Sequence, residues 1–275
     1  MKLFSISTLL LFSLFSINAS AQLSAGEVKA LKPDAMRLWE GRAEKSSLEE
    51  AISKFELIQQ GMPQDLEVLT YLSRAYFLYG EFHLDDRDQK LNAFEKGKNF
   101  GLAGLMTNQQ YAKLADKDIE KAIAALTERE VPLTFWAAAN LGKWSKTNGV
   151  MASMKYKDQM LAMVKRVESL QPNYFYAGAS RFMGGFYAIA PGIAGGDLKK
   201  SKKSFERSMS MAPEYLGTKV LYAESYLVEE EKETEFKKVL EEVIAAPEGP
   251  KDIAPENTLE KKKAEKLLGQ TKKLF

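Results

Sequence analysis

The sequence predicts an all-α protein built as an irregular helical repeat, and three observations carry that expectation. Ala, Leu, Lys, Glu and Met dominate nearly every stretch, with apolar residues three and four apart, the spacing of amphipathic helices. Strand-like alternation is absent over any useful length. A small residue, an aromatic four positions later and a proline eight beyond that recur at identical spacing, as Ala51, Phe55, Pro63 and as Ser201, Phe205, Pro213. That triplet marks the second helix of a tetratricopeptide (TPR) repeat. The fold class is therefore an irregular TPR-like α-solenoid, in one domain over residues 22–275.

The chain opens with Met1-Lys2, an apolar run from Leu3 to Ile17 and the small-residue site Ala19-Ser20-Ala21. This is the three-part design of a secretory signal peptide, with cleavage expected after Ala21. The first repeat helix carries Ala51, Phe55 and Ile58 and ends before Pro63. A helix pair is expected around Tyr71–Tyr79 and Leu91–Asn99, joined by a polar, exposed connection from His83 to Asp88. Met160 and Val164 with Pro172 form a degenerate third copy. From Pro63 to Pro172 is 109 residues, not a multiple of the usual repeat of about 34, so the middle holds insertions.

Tyr174 to Pro191 reads as a helix crowded with aromatic residues, with Gly178, Gly184, Gly185 and Arg181 among them. Gly195-Gly196 supply a turn and Asp197 caps the helix from Leu198. Phe236, Val239, Leu240 and Val243 mark a further helix, ended by Ala246-Pro247. A loop then leads from Pro247 to Pro255, with a last helix from Thr258 to Leu268. Prolines just past a helix end are expected, because proline cannot continue it.

Several chemistries lack their residues. There is no cysteine and one histidine, His83, so a Cys-His pair and a nitrogen or sulfur zinc site have no ligands. No nucleophile-elbow motif accompanies His83, and Gly195-Gly196 lack the ending of a phosphate-binding loop. Asp85-Asp86-Arg87-Asp88 lacks the glycine and terminal glutamate of a calcium loop. The balance of 39 basic against 37 acidic side chains gives no footprint for nucleic acid. The lysine runs at 199–203 and 261–263 read as solvated faces. No enzyme, no cofactor and no metal are expected.

Binding is the better expectation, and the aromatic helix is its carrier. Glycine costs a helix about 1 kcal/mol relative to alanine, so its repeated use there implies close approach by another helix or by a ligand. Phe175, Phe182 and Phe186 share one broad face, and Tyr176, Met183 and Tyr187 a neighbouring one. Both faces could be plain core. Otherwise Trp136, Trp144, Tyr174, Phe182, Phe186 and Tyr187 line a channel for an organic ligand. Arg181, costly to bury unpaired, then either bridges a carboxylate or meets an anionic ligand group.

Leu72-Ser-Arg-Ala-Tyr76, Phe135-Trp-Ala-Ala-Ala139 with Gly142 and Trp144, the Tyr174–Pro191 helix, and Gly195-Gly196-Asp197 with the terminal TPR-like pair together resemble the T-component family of tripartite ATP-independent periplasmic (TRAP) transporters. The resemblance spans roughly residues 30–245. It implies a helical periplasmic protein that works with a TRAP substrate-binding protein, an apolar channel for an apolar or amphipathic small molecule, and a homotrimer as one assembly. The departure is the missing cysteine: members are often lipoproteins, and this chain has no lipid-attachment residue. A periplasmic TPR scaffold that binds proteins without a small ligand is the alternative. An enclosed apolar tunnel between Trp136 and Phe186 separates the first reading from the second, which expects a filled core and an open polar groove.

Overall fold

Proline positions set the helix boundaries. The computed structural model describes residues 25–275, so the expected signal peptide lies outside the described residues. Helix α1 spans Ala25–Glu40 and α2 Lys45–Gly61, with Pro63 two residues past the end. The same offset recurs where α8 (Val150–Leu170) meets Pro172, α10 (Leu198–Met211) meets Pro213 and α12 (Glu233–Ala245) meets Pro247. In each case the ring removes the N–H that a further helical turn would need.

Between these lie α3 (Leu66–Leu78), a π-helical turn at Tyr79–His83, α4 (Arg87–Leu105), the short α5 (Gln109–Leu114) and α6 (Ile119–Ala124), then α7 (Val131–Asn148). Helix α9 covers Tyr174–Ile189. Helix α11 (Gly217–Leu221) runs into a second π-helical turn at Tyr222–Leu227, and α13 (Ala254–Gly269) and α14 (Thr271–Leu274) follow α12. Among the described residues there is no strand, and no helix is long and apolar enough to cross a membrane.

Most packing is between sequence neighbours: α1 on α2, α3 on α4, α7 on α8 and α9 on α10, while α7 also packs across α3 and α4. Helix α4 can approach α7 closely because Gly97, Gly101 and Gly104 face it. A Cβ on Gly101 would lie 2.7 Å from the Ala137 methyl. Three apolar clusters result, one around Phe55 and Leu72, one around Trp136 and Val164, and one around Phe205 and Leu240. The repeated small-to-aromatic pairs sit at their centres, with Ala51, Phe55, Ser201 and Phe205 fully buried. Ser201 is small for a reason: its Oγ donates to Gly184 O at 2.8 Å, bringing α10 against the glycines of α9.

Helix α13 packs on its neighbour α12 but also reaches back along the chain, and here three expectations need correcting. It begins at Ala254 rather than Thr258, with Pro255 in its first turn, where proline's missing N–H costs nothing. It then returns to the N-terminal hairpins: Glu256 accepts from Arg42 Nε at 2.9 Å and Nη2 at 2.6 Å, and from Arg74. Lys263, expected on a solvated face, is instead ion-paired at 2.8 Å with both Glu81 and Glu224. The runs at Lys199–Lys200 and Lys202–Lys203 are exposed as expected. His83 is half-buried rather than exposed, its Nε2 enclosed without a partner and its pKa lowered by that burial. The π-helical turn tucks it inward before Leu84, which is itself buried.

Candidate functional site

The site begins with a backbone irregularity. Where the sequence predicts ordinary helix, Phe175, Tyr176 and Ala177 adopt φ of 44°, 57° and 53°. A left-handed conformation costs an L-residue about 1–2 kcal/mol, so three in succession need outside support. Arg181 supplies it. Its Nη1 donates to Tyr176 O at 3.0 Å and its Nη2 to Phe175 O at 3.2 Å. Ser208 Oγ on α10 donates to Ala177 O at 3.2 Å. The guanidinium lies 4.2 Å over the Tyr215 ring. Among the described residues no carboxylate comes within ion-pair distance of it, so the buried cation rests against carbonyls and rings rather than against a counter-ion. Burial lowers its pKa from the ordinary arginine value.

The turn carries the Phe175 ring out of helical register, to 4.6 Å from Trp136 and 5.3 Å from Tyr215. Beyond that junction the helices α7, α8, α9, α11 and α13 surround a cavity of about 440 Å³. Its walls include Phe77, Phe135, Trp136, Phe175, Phe182, Phe186 and Leu221. It opens past Val150, Met154 and Ile189, all exposed, beside Met151 and Ile193, which are 84% and 93% exposed.

Four of the residues singled out from the sequence, Trp136, Arg181, Phe182 and Phe186, line this cavity. The other three do not. Trp144 packs at 5.8 Å on Tyr156, with the Lys98 ammonium 5.2 Å over its ring. Tyr174 packs at 5.5 Å on Phe135, and burial raises its hydroxyl to about 12. Tyr187 lies behind Phe186 at 5.6 Å, and its carbonyl accepts from Asp197 N at 2.9 Å, pinning the Gly195-Gly196 turn. Asp197 caps α10 as expected, accepting from Lys200 N at 3.0 Å.

One end of the cavity is polar, and this the sequence reading missed. Glu81, on the first π-helical turn, pairs with Lys143 at 2.7 Å and Lys263 at 2.8 Å. Glu224, on the second, completes the chain through Lys263. Burial would raise Glu81, but Lys143 and Lys263 outweigh it and hold its carboxyl well below the usual range. Burial would likewise lower Lys263, but Glu224 and Glu81 hold it well above. Glu260 lies beside this chain without joining it. It is 8% exposed and its Oε2 has no partner. Burial above all, with Glu224 and Glu81 adding to it, pushes the carboxyl up to about 7 against the pull of Lys263. A second, more polar depression of about 480 Å³ shares Glu81, Phe82, Lys143, Lys146, Glu224 and Lys263 as its wall.

Glu256, Glu260 and Lys263 share a face of α13 through helical spacing of four and three. In sequence that spacing is indistinguishable from a solvated stripe. Chemically, the arrangement offers a largely apolar chamber with few polar anchors at one end, the mix typical of small-molecule sites. Among the described residues no acidic or histidine cluster could hold a metal ion.

Comparison with known proteins agrees with the resemblance. No curated protein matches the chain. The family model described as TRAP transporter T-component matches residues 51–275, from the Ala51 helix to the last residue, α13 included. The chain belongs to the TRAP transporter T-component family.

Proposed function

We propose that this chain is a periplasmic accessory protein of a TRAP-type uptake system, holding an apolar or amphipathic organic molecule in the cavity between Trp136 and Phe186. The single observation that carries this reading is the cavity itself. A helical protein held only by its core packs to crystal-like density and leaves few voids larger than a water molecule. A chamber of about 440 Å³ that reaches from the surface to Trp136 and is walled by aromatic rings is apolar space that such packing would have filled. A scaffold without a small ligand would have no use for it. The proline-ended hairpins fit a TPR-like solenoid, and the apolar rim at Val150, Met151, Ile189 and Ile193 is the surface on which a substrate-binding subunit would dock, cavity mouth to ligand cleft.

The test is native mass spectrometry of the purified protein, followed by titration with the neutral fluorophore N-phenyl-1-naphthylamine. A bound organic mass released on denaturation, or saturable fluorophore binding weakened by Phe186→Ala, is expected. A protein that carries nothing and does not bind the fluorophore overturns the ligand reading and leaves the scaffold.

A further inference from the structure

Two buried ionisable groups of the cavity lack an ion-pair partner, and they carry opposite tendencies. Arg181 is a cation with no counter-ion, and its guanidinium has more N–H donors than the two carbonyls and Thr218 Oγ1 use. Glu260 is a carboxyl with an orphaned oxygen. Both abut the same short wall. Arg181 stacks on Tyr215, and a Cβ added to the adjoining Gly217 would lie 2.5 Å from Glu260 Oε1 and 2.6 Å from the Tyr215 ring. A side chain at position 217 would displace the Glu260 carboxyl from where it lies.

The charges around them decide what fits. Facing Glu260 are Lys263 from its own helix, Glu81 and Glu224 from the two π-helical turns, Lys143 from α7, Arg181 from α9 and Tyr215 from the segment before α11. Lys143, Lys263, Glu81 and Glu224 neutralise one another in their own chain of ion pairs. Lys146 from α7 also lines the cavity but is exposed to solvent. What remains buried is one positive charge, on Arg181, and one carboxyl that burial holds in its acid form below about 7. A ligand ammonium would meet the Arg181 charge unscreened. A hydroxyl would leave that charge uncompensated. A carboxylate answers both, accepting from Arg181 and from the acid proton of Glu260.

We propose that Arg181 and Glu260 form the polar seat of the cavity and hold the carboxylate of an amphipathic monocarboxylic acid, whose hydrocarbon part lies against Trp136, Phe182 and Phe186. This rests on the ligand-binding reading of the same cavity. Because Glu260 donates only when protonated, binding is coupled to a proton, and affinity falls about tenfold per pH unit once Glu260 ionises in the empty protein.

The probes are decanoate, decanol and decylamine, titrated against the full chain by displacement of N-phenyl-1-naphthylamine at pH 6 and pH 8.5. Decanoate is expected to bind at least about tenfold tighter than decanol or decylamine at pH 6, a preference of one charge-assisted contact, and to weaken by more than tenfold at pH 8.5. Glu260→Gln keeps a donor, so its decanoate binding should persist at both pH values. Glu260→Leu should bind decanoate no better than decanol. Fluorophore binding with equal affinity for decanoate and decanol, or an unchanged pH response in Glu260→Gln, overturns the carboxylate seat while leaving the cavity reading intact. Failure of the fluorophore to bind at all overturns both.

Discussion

Glu256 and Glu260 sit one turn apart on α13, both buried, in surroundings built to different ends. At Glu256 the carboxylate is clasped by Arg42 and Arg74, and Arg42 also donates to Trp39 O at 3.0 Å and Asp252 O at 2.5 Å. Arg74 is boxed by aromatic faces, 4.6 Å from the Phe175 ring and 5.2 Å from Trp39. Burial would raise Glu256, yet the two arginines outweigh it and its carboxyl lies below the usual range. At Glu260 no cation forms an ion pair, the pull of Lys263 is too weak to offset burial, and the carboxyl moves the other way. The first region ties the chain's C-terminal helix to its N-terminal hairpins. The second faces the cavity and is left unsatisfied. Burial alone thus does not predict which way a carboxyl shifts; the nearest fixed charges do.

The sharpest way to break that contrast is to remove each carboxylate in turn. Glu256→Ala strands two arginines in the interior, and losing one partner of a buried pair costs about 3–5 kcal/mol. Chemical denaturation should show a loss of that size. Glu260→Leu, which removes an unpaired polar group and breaks no ion pair, should be neutral or stabilising. Equal losses in the two variants would mean that Glu260 holds the fold as Glu256 does.

The pH dependence of stability separates the same two sites with opposite signs. Glu256 and Glu81 are depressed, so their contribution is present above the ordinary glutamate range and is lost as pH falls below it. Glu260 is raised from 4.5 to about 7, so the folded state holds its proton more tightly than the unfolded chain. Stability should therefore decline as pH rises between these values, by about 1.4 kcal/mol per pH unit and about 3 kcal/mol in all. Glu260→Gln should flatten the profile across that window alone. A wild-type profile already flat from pH 5 to 7 would contradict the unpaired state of Glu260.

How much of this could be read in advance follows the same division. The helix ends at Pro63, Pro172, Pro213 and Pro247 were legible because proline's effect is local and covalent. The centres of the outer clusters were legible because Ala51 with Phe55, and Ser201 with Phe205, repeat one spacing. Arg181 stood out by its company, but its partners did not, since they are carbonyls exposed by a left-handed turn that Phe, Tyr and Ala rarely adopt. The inward face of α13 was illegible for a different reason. Lys263 reads as part of a solvated run, and nothing marks Glu256 or Glu260, until the fold brings Arg42, Arg74, Glu81 and Glu224 to them from up to 214 residues away.

A smaller effect tests the contact between α9 and α10, beside the cavity-lining face of α9. Gly184 faces the Phe205 ring, and a Cβ there would lie 2.8 Å from its Cγ. Gly184→Ala should cost about 1–3 kcal/mol through overpacking in thermal or chemical unfolding. Gly149, where a Cβ meets nothing but φ is 116°, would instead lose stability through backbone strain alone. An unchanged unfolding midpoint in Gly184→Ala would mean α10 can shift away from α9 freely.

A small stability change should accompany a large binding change at Phe186. Its ring is half-buried and borders the cavity, whereas Phe205 is fully enclosed. Truncating an enclosed phenylalanine removes contacts on every side and costs about 3–5 kcal/mol, while a ring with an open face has less to lose, about 1 kcal/mol. Phe186→Ala should therefore barely move the unfolding midpoint but widen the cavity and weaken retention of an apolar probe. Phe205→Ala should do the reverse, unfolding far more easily while leaving the affinity of the remaining folded protein unchanged. If Phe186→Ala proves as destabilising as Phe205→Ala and leaves binding untouched, Phe186 belongs to the core, and the apolar wall must be sought at Phe182 and Trp136 instead.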